Sequence, residues 1–260
     1  MSRIKTRIKT ITLEEERIYQ GNLILVNAKH PLRFIQKEGL VPVNSKFPDI
    51  LLRNDAANIL QVILEKVHCY DEIVPVSGFR SEQEQRQIYE DSLRDNGESF
   101  TRKFVALPGH SEHQTGLAID LGIKKEEIDF IRPDFPYEGI CQEFRKQAIR
   151  YGFIERYQST KEQITGIAHE PWHFRYVGYP HSTIMNNNQL SLEEYVKFIK
   201  KYKYGKEHLI TESDGMEIGV GYVPAKGKQT VITIPEKSVC QVSGNNVDGF
   251  IITLWRDRNE

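Results

Sequence analysis

Two stretches of this chain carry side chains able to do chemistry together. The first is Gly109-His110-Ser111-Glu112-His113-Gln114-Thr115-Gly116-Leu117-Ala118-Ile119-Asp120. Alternation from Thr115 to Ile123 predicts a strand, with Leu117, Ile119 and Leu121 on one face and Ala118 and Asp120 on the other. A carboxylate buried in such a run is costly unless a positive group pairs with it. Ala118 leaves room beside Asp120, and Gly116 lets the backbone turn so that His113 returns to the strand end. A histidine and an aspartate brought together in this way make a pair of metal ligands.

The second stretch is His169-Glu170-Pro171-Trp172-His173-Phe174-Arg175. Pro171 excludes a helix interior, so this is not the H-E-x-x-H pattern of two histidines one turn apart. On a regular strand Glu170 and His173 face opposite ways, so both reach one site only if the chain bends between them. Given that bend, His173 offers a neutral imidazole and Glu170 stands just outside the ligands.

His113, Asp120 and His173 then supply three ligands, with water in the fourth place. Catalytic metal sites keep such an open position, whereas structural zinc sites close with four ligands, mostly Cys. Two nitrogens and one oxygen suit Zn²⁺ and leave Fe²⁺ and Co²⁺ open. Such an ion lowers the pKa of its water toward ~7 and polarises a carbonyl. Glu170 can take the water's proton and pass it to a leaving amine. Arg80, in Ser77-Gly78-Phe79-Arg80-Ser81, sits where a strand turns into a helix, and its guanidinium can hold a carboxylate or an oxyanion.

Plainer readings exist for each residue: a hydrogen-bonded core histidine, a turn-capping aspartate, a Glu170 that pairs with Arg175 or Arg80, a surface Arg80. His110, His169 and His181 read as rim residues at best, and Trp172 as a packing wall.

These residues need elements to hold them. Leu23–Val26 reads as a strand, and Pro31, Gly39, Pro42 and Pro48 punctuate a loop after it. Ile59, Leu60, Ile63, Leu64 and Val67 recur at helical spacing behind a cap at Asn54 or Asp55. Ile73–Val76 is β-type, and Ser81-Glu82-Gln83-Glu84 is a capping box that opens a helix ending near Asn96-Gly97. A helix at Ile140–Tyr151, a strand at Trp172–Val177 and a Lys-rich helix at Leu192–Tyr202 follow. Beyond Gly205, Met216–Val223, Thr230–Ile234, Ser238–Val242 and Phe250–Trp255 are short β-type segments between Gly, Pro and Asn turns. The expectation is an α+β fold: a mixed sheet core with helices packed around it over residues 1–204, and a small β-rich appendage over 205–260.

Composition narrows the function classes. The chain has 260 residues, 39% hydrophobic and 27% charged, as an ordinary globular protein does. Thirty-five Lys+Arg against 36 Asp+Glu give no bulk electrostatic reason to bind nucleic acid or an anionic membrane. Cys69, Cys141 and Cys240 are too few and too scattered for a disulfide framework or a C-x-x-C cluster, and read as reduced thiols. The basic lead from Arg3 to Lys9 reads as a frayed terminus, since no apolar run of the ~7–15 residues of an export signal follows it. The expected location is cytoplasmic.

Ser111-x-His113-x-x-Gly116-x-Ala118-x-Asp120 resembles the S-x-H-x-x-G-x-A-x-D motif of the zinc D-alanyl-D-alanine peptidases of vancomycin resistance. Glu170-Pro171-Trp172-His173 looks like their E-x-W-H box, and Ser77-Gly78-Phe79-Arg80-Ser81 like their SGYRS turn with Phe for Tyr. The likeness covers roughly residues 20 to 200 and is nearest to the soluble VanXY type, the bifunctional D,D-dipeptidase/D,D-carboxypeptidases. It implies one Zn²⁺ per chain on His113, Asp120 and His173, with Glu170 as catalytic base and Arg80 as transition-state stabiliser. It further implies substrate binding by Ser111 and, less directly, Gln85. The implied partners are small peptides, D-Ala-D-Ala and the peptidoglycan precursor pentapeptide, acted on by a monomer or homodimer. Two alternatives stand beside this: an L-alanyl-D-glutamate or other cell-wall peptidase on the same zinc scaffold, and an inactive zinc-site binding module. Glu170 together with Arg80 speaks against the inactive module.

Overall fold

The computed structural model describes residues 7–34, 39–213 and 215–257. Of the basic lead, Met1–Thr6 lies outside them. Its continuation is a strand, β1 (Ile8–Glu14), paired antiparallel over its whole length with a segment more than 200 residues away. Ile11 and Leu13 turn inward there, a non-local pairing that a terminus read by itself does not reveal. The chain then divides into two compact units, Met1–Leu25 with Glu194–Glu260, and Val26–Glu193. The run of short β-type segments beyond Gly205 places the expected boundary at 204/205.

The Val26–Glu193 unit carries every residue singled out for chemistry. It opens with a hairpin, β2 (Leu40–Asn44) and β3 (Phe47–Arg53), where a loop was expected from the prolines. In a two-stranded sheet each strand is an edge, so the missing N–H of Pro42 or Pro48 is tolerated. Asn44 makes the turn, its side-chain oxygen accepting from the Lys46 and Phe47 amides. Helix α1 (Asn54–Val67) buries Ala56, Ala57, Leu60, Ile63 and Leu64. Strand β4 (Ile73–Ser77) leads through Gly78 to α2 (Glu82–Phe104), whose capping box forms as expected: Ser81 accepts from the Glu84 amide and the Glu84 carboxylate accepts from the Ser81 amide. The helix breaks at Gly97 (φ 79°) but resumes to Phe104, so the expected end is a kink.

Next come β5 (Ala118–Ile123), α3 (Gly139–Arg150), β6 (Phe153–Tyr157), a short α4 (Glu162–Thr165), β7 (Glu170–Tyr176) and α5 (His181–Asn187). Strand β5 starts three residues later than the alternation suggests, because Glu112–Thr115 forms a 3-10 turn closed by left-handed Gly116. The central sheet runs β4-β5-β7-β6 with all ladders antiparallel. Its apolar face, with Leu117, Ile119, Leu121 and Phe174, packs into one core with the inward faces of α1 and α3.

The other unit takes part of α6 (Leu192–Phe198), which crosses the boundary, and five strands: β8 (Leu209–Ser213), β9 (Met216–Pro224), β10 (Gln229–Pro235), β11 (Val239–Gly244) and β12 (Gly249–Asp257). They form a sheet β11-β12-β9-β8 and the β1-β10 ribbon. Leu23–Val26 is buried but is no strand; the Leu23 amide donates to Ser243 Oγ and the Leu25 amide to the Asn245 carbonyl. A short apolar run signals burial, and burial here comes without a ladder.

Candidate active site

The sheet register does most of the assembly. On the central strand Asp120 lies directly opposite His173 of β7 on one side and Ser77 of β4 on the other. Cross-strand neighbours on one face come within side-chain reach. His173 Nδ1 is accordingly 2.8 Å from Asp120 Oδ1. The bend required between Glu170 and His173 is present: the β6–β7 register shifts, so that Tyr157 faces Glu170 while Glu155 faces Phe174. It brings Glu170 Oε2 to 3.8 Å from His173 Nδ1.

His113 arrives from the 3-10 turn ahead of β5. Gly116 must be glycine there, since its φ is +68° and a Cβ would lie 2.7 Å from Leu40. His113 Nδ1 bonds the Gly78 carbonyl at 2.7 Å, which fixes the proton on Nδ1 and leaves the Nε2 lone pair facing inward, 3.1 Å from Asp120 Oδ2. Gly78 can reach it because its own Cβ position is filled, 2.4 Å from the Leu51 carbonyl. One donor atom each from His113, Asp120 and His173 lie within 4.8 Å of one another, all buried. Two imidazole nitrogens and a carboxylate oxygen with the outward nitrogen of His113 engaged are a donor set that fits a divalent ion, and burial keeps competing water away.

Arg80 closes one side. It donates from Nε to Ser77 Oγ (2.8 Å), from one terminal nitrogen to Asp120 Oδ2 (2.8 Å) and from the other to Gln85 Oε1 (3.3 Å). Gln85 in turn donates to the Ala106 carbonyl, so it braces the arginine. Ser111, Gln85 and Trp172 line the same cavity as the three donors, Glu170 and Arg80. His110 bonds the Asn27 carbonyl and His169 stacks on Tyr137, both outside the donor cluster, and buried His181 is pushed down to about 3 by burial alone.

Electrostatics separates the two histidines and the two acids. Burial and the Arg80 charge press His113 down to about 4 against the pull of Asp120. Burial also opposes charge on His173, yet Asp120, Glu112 and Glu170 together hold it up to about 9. Burial would raise Asp120, but the facing histidines hold it far below the usual carboxylate range. Glu170 is pushed up to about 8, chiefly by burial, with His173 and Arg80 opposing and Asp120 and Glu112 adding. Two acids whose proton affinities are driven apart are suited to different tasks.

Sequence reasoning did not find the ion cluster behind His173. Glu112 is buried, and its Oε1 accepts from both Arg156 Nε (2.9 Å) and Arg175 (2.7 Å). Arg156 forks onto Glu193 at 2.9 and 2.6 Å. Arg175 therefore pairs with Glu112. The only available signal was an acid between Ser111 and His113 and two arginines in otherwise apolar strands.

A three-donor centre of the open kind, with a buried carboxylate and a guanidinium beside it on an antiparallel α+β scaffold, is the site's class. Residues 49–179 match the family model of VanY, D-alanyl-D-alanine carboxypeptidase. The chain belongs to that family. It is 44% identical over 181 residues, 69% of this chain and 95% of the relative, to the bifunctional D-Ala-D-Ala dipeptidase and D-Ala-D-Ala carboxypeptidase VanXYC of Enterococcus gallinarum. The crystal structure of the vancomycin-resistance D,D-dipeptidase VanXYg in complex with a D-Ala-D-Ala phosphinate analogue superposes with a TM-score of 0.95 at 60% identity, covering 96% of this chain and all of that one. A mutant of the D,D-pentapeptidase VanY from a VanB-type resistance cassette, in complex with Zn(II), matches at a TM-score of 0.56 and 28% identity over 67% of this chain and 98% of that one.

Proposed function

We propose that this chain is a zinc D,D-peptidase that hydrolyses D-Ala-D-Ala and removes the terminal D-Ala from peptidoglycan precursor pentapeptides, and so contributes to vancomycin resistance. The observation that carries the reading is the convergence of His113 Nε2, Asp120 and His173 Nδ1 beside Glu170 and Arg80. One zinc per chain on these three residues is part of the proposal, and the VanY relative is itself in complex with Zn(II). When bound, the ion would polarise the scissile carbonyl and make a water acidic enough to attack at neutral pH. With the ion's positive charge drawing it down from about 8, Glu170 would stand ionised, accept that water's proton on its carboxylate and deliver it to the leaving D-Ala amine. Arg80, braced by Ser77 and Gln85, offers N–H donors to the substrate's terminal carboxylate or the developing oxyanion. Ser111, buried on the cavity wall, positions the peptide.

Support for the longer substrate comes from a groove of about 410 Å³ that shares Val105, Ala106, Tyr157 and Ile167 with the site cavity and continues past Tyr89, Arg102 and His110. A dipeptide has no use for it, whereas a pentapeptide must lay its remaining residues somewhere. The VanXYC relative is bifunctional in this sense. Among the described residues no helix is long and apolar enough to cross a membrane. A cytoplasmic location, where precursors are made, and a monomeric or homodimeric state belong to the same proposal. The test is a pair of assays on purified protein: D-Ala release from D-Ala-D-Ala and from a precursor pentapeptide, with zinc counted per chain. Release from both at about one zinc per chain is expected; failure on both substrates overturns the reading.

A further inference from the structure

Two buried polar atoms in this protein face each other without a hydrogen-bond partner: Glu112 Oε2 and His173 Nε2, 3.7 Å apart. Buried polar atoms are rarely left so. Everything around them is built to hold that approach. The other oxygen of Glu112 is engaged by Arg156 and Arg175, both buried, which leaves Oε2 as the free lone-pair site. Arg156 is itself locked by a two-pronged bond to Glu193, and Asn27 donates to that same carboxylate at 3.1 Å. The His173 ring is confined on its faces, with Tyr157 packed at 4.8 Å and His113 meeting it edge-on at 4.9 Å. The opposite ring atom, Nδ1, points at Asp120.

We propose that Glu112 is a positioning residue for the metal: its carboxylate accepts the Nε2 proton of His173, which leaves Nδ1 bare and aimed at the ion. This inference rests on the reading of His173 as a ligand. A metal-binding imidazole commonly gives its second N–H to a carboxylate or a carbonyl, which sets both tautomer and ring orientation. The two ligand histidines divide these options. His113 gives its Nδ1 proton to the Gly78 carbonyl and binds through Nε2, while His173 gives its Nε2 proton to Glu112 and binds through Nδ1. The two arginines keep the Glu112 carboxylate ionised and turned, so that a charged acceptor sits where a backbone carbonyl would otherwise be required. Glu112 touches neither substrate nor ion in this scheme and acts only through His173.

The test is zinc affinity, read by competition with a chromogenic chelator, on folded protein. Glu112→Gln keeps the shape but turns an N–H toward Nε2, favouring the tautomer that blocks Nδ1. It should weaken zinc binding about 10- to 100-fold and lower kcat with KM for the dipeptide little changed. Glu112→Asp keeps the charge opposite both arginines and withdraws the oxygen by one methylene, which guards against a failure of the Gln variant to fold; it too should weaken zinc binding. Glu193→Gln loosens Arg156 alone and leaves Arg175 on Glu112, so it should weaken zinc binding less than either Glu112 variant. Unchanged affinity in folded Glu112 variants, or an equal loss in Glu193→Gln, overturns the proposal. His173→Ala separates the two readings: if zinc stays bound there, the ligand assignment itself fails, whereas loss there with retention in the Glu112 variants rejects Glu112 alone.

Discussion

The two units of this chain bury different things. Among the described residues every buried Asp, Glu, Arg and His lies in Val26–Glu193, from Glu112 to Glu193. The Met1–Leu25 and Glu194–Glu260 unit buries Leu13, Ile18, Ile234, Phe250, Ile252 and Leu254, and its buried polar side chains, such as Ser243, Asn245 and Asn246, are neutral. Buried charge is a net cost that packing alone does not require, and apolar groups of the same volume usually stabilise as well or better. Its confinement to one unit marks where chemistry outranks stability. The other unit is held by sheet pairing and by burial of apolar and neutral polar side chains.

The largest effect expected from this contrast is at Glu170. Glu170→Ala removes the base and should cost about 10²–10⁴ in kcat while zinc content is retained, because the three donor residues are untouched. The measurement is kcat for D-Ala-D-Ala beside metal content on the same preparation. Activity within a few-fold of the parent would move the proton transfer to another group and leave the buried acid at about 8 without a task.

The counterpart in the β-rich unit is Phe250, fully buried in the cluster with Leu13, Ile232 and Leu254. Phe250→Ala should destabilise by about 3–5 kcal/mol through lost burial and a residual cavity. Denaturant unfolding reads that loss, and kcat/KM assayed where the variant stays folded should equal the parent's. A fall in kcat/KM of the folded variant would break the division of labour, since it would show the β-rich unit contributing to catalysis.

How far this division was legible in sequence depends on the range of the interaction. Local signals held: the Ser81–Glu84 box, the α1 periodicity, and the necessity of a bend between Glu170 and His173, which the β6–β7 register shift supplies. Non-local pairings were opaque. Nothing near Ile8–Glu14 announces Gln229–Pro235 as its partner, and the prolines that suggested a loop at 40–50 are tolerated because both hairpin strands are edges. In the site, donors with fixed spacing could be found, but Glu112, Arg156 and Arg175 come from three separate segments and meet only on folding.

A smaller effect follows from the two unlike histidines. In metal-free protein His173, held up to about 9, carries a proton at neutral pH, whereas His113, pressed down to about 4, does not. Metal binding needs one bare nitrogen on each ring, Nε2 of His113 and Nδ1 of His173, and so must release the His173 Nδ1 proton. Apparent zinc affinity should then rise with pH up to about 9 and level off above it. Below that it should fall about tenfold per pH unit, the slope of one displaced proton, and steepen only as pH approaches 4. Chelator competition across pH 5.5–9.5 (roughly the range in which one proton is at stake) reads the slope. A flat profile would mean that His173 is neutral before the metal arrives.

The smallest expected effect tests whether nearness to the site is enough to matter. Ser81 follows Arg80 directly, yet its side chain serves only the first turn of α2, accepting from the Glu84 amide at 3.2 Å and donating to the Glu84 carboxylate at 2.7 Å. Arg80 is held separately, by Ser77, Gln85 and Asp120. Ser81→Ala should therefore cost about 1 kcal/mol of stability, as N-cap removal does elsewhere, with little change in kcat or in KM. Raised KM at unchanged stability would mean that the cap, and not the three side-chain bonds, sets where the guanidinium points, and the functional boundary inside the catalytic unit would have to be drawn one residue further along the chain.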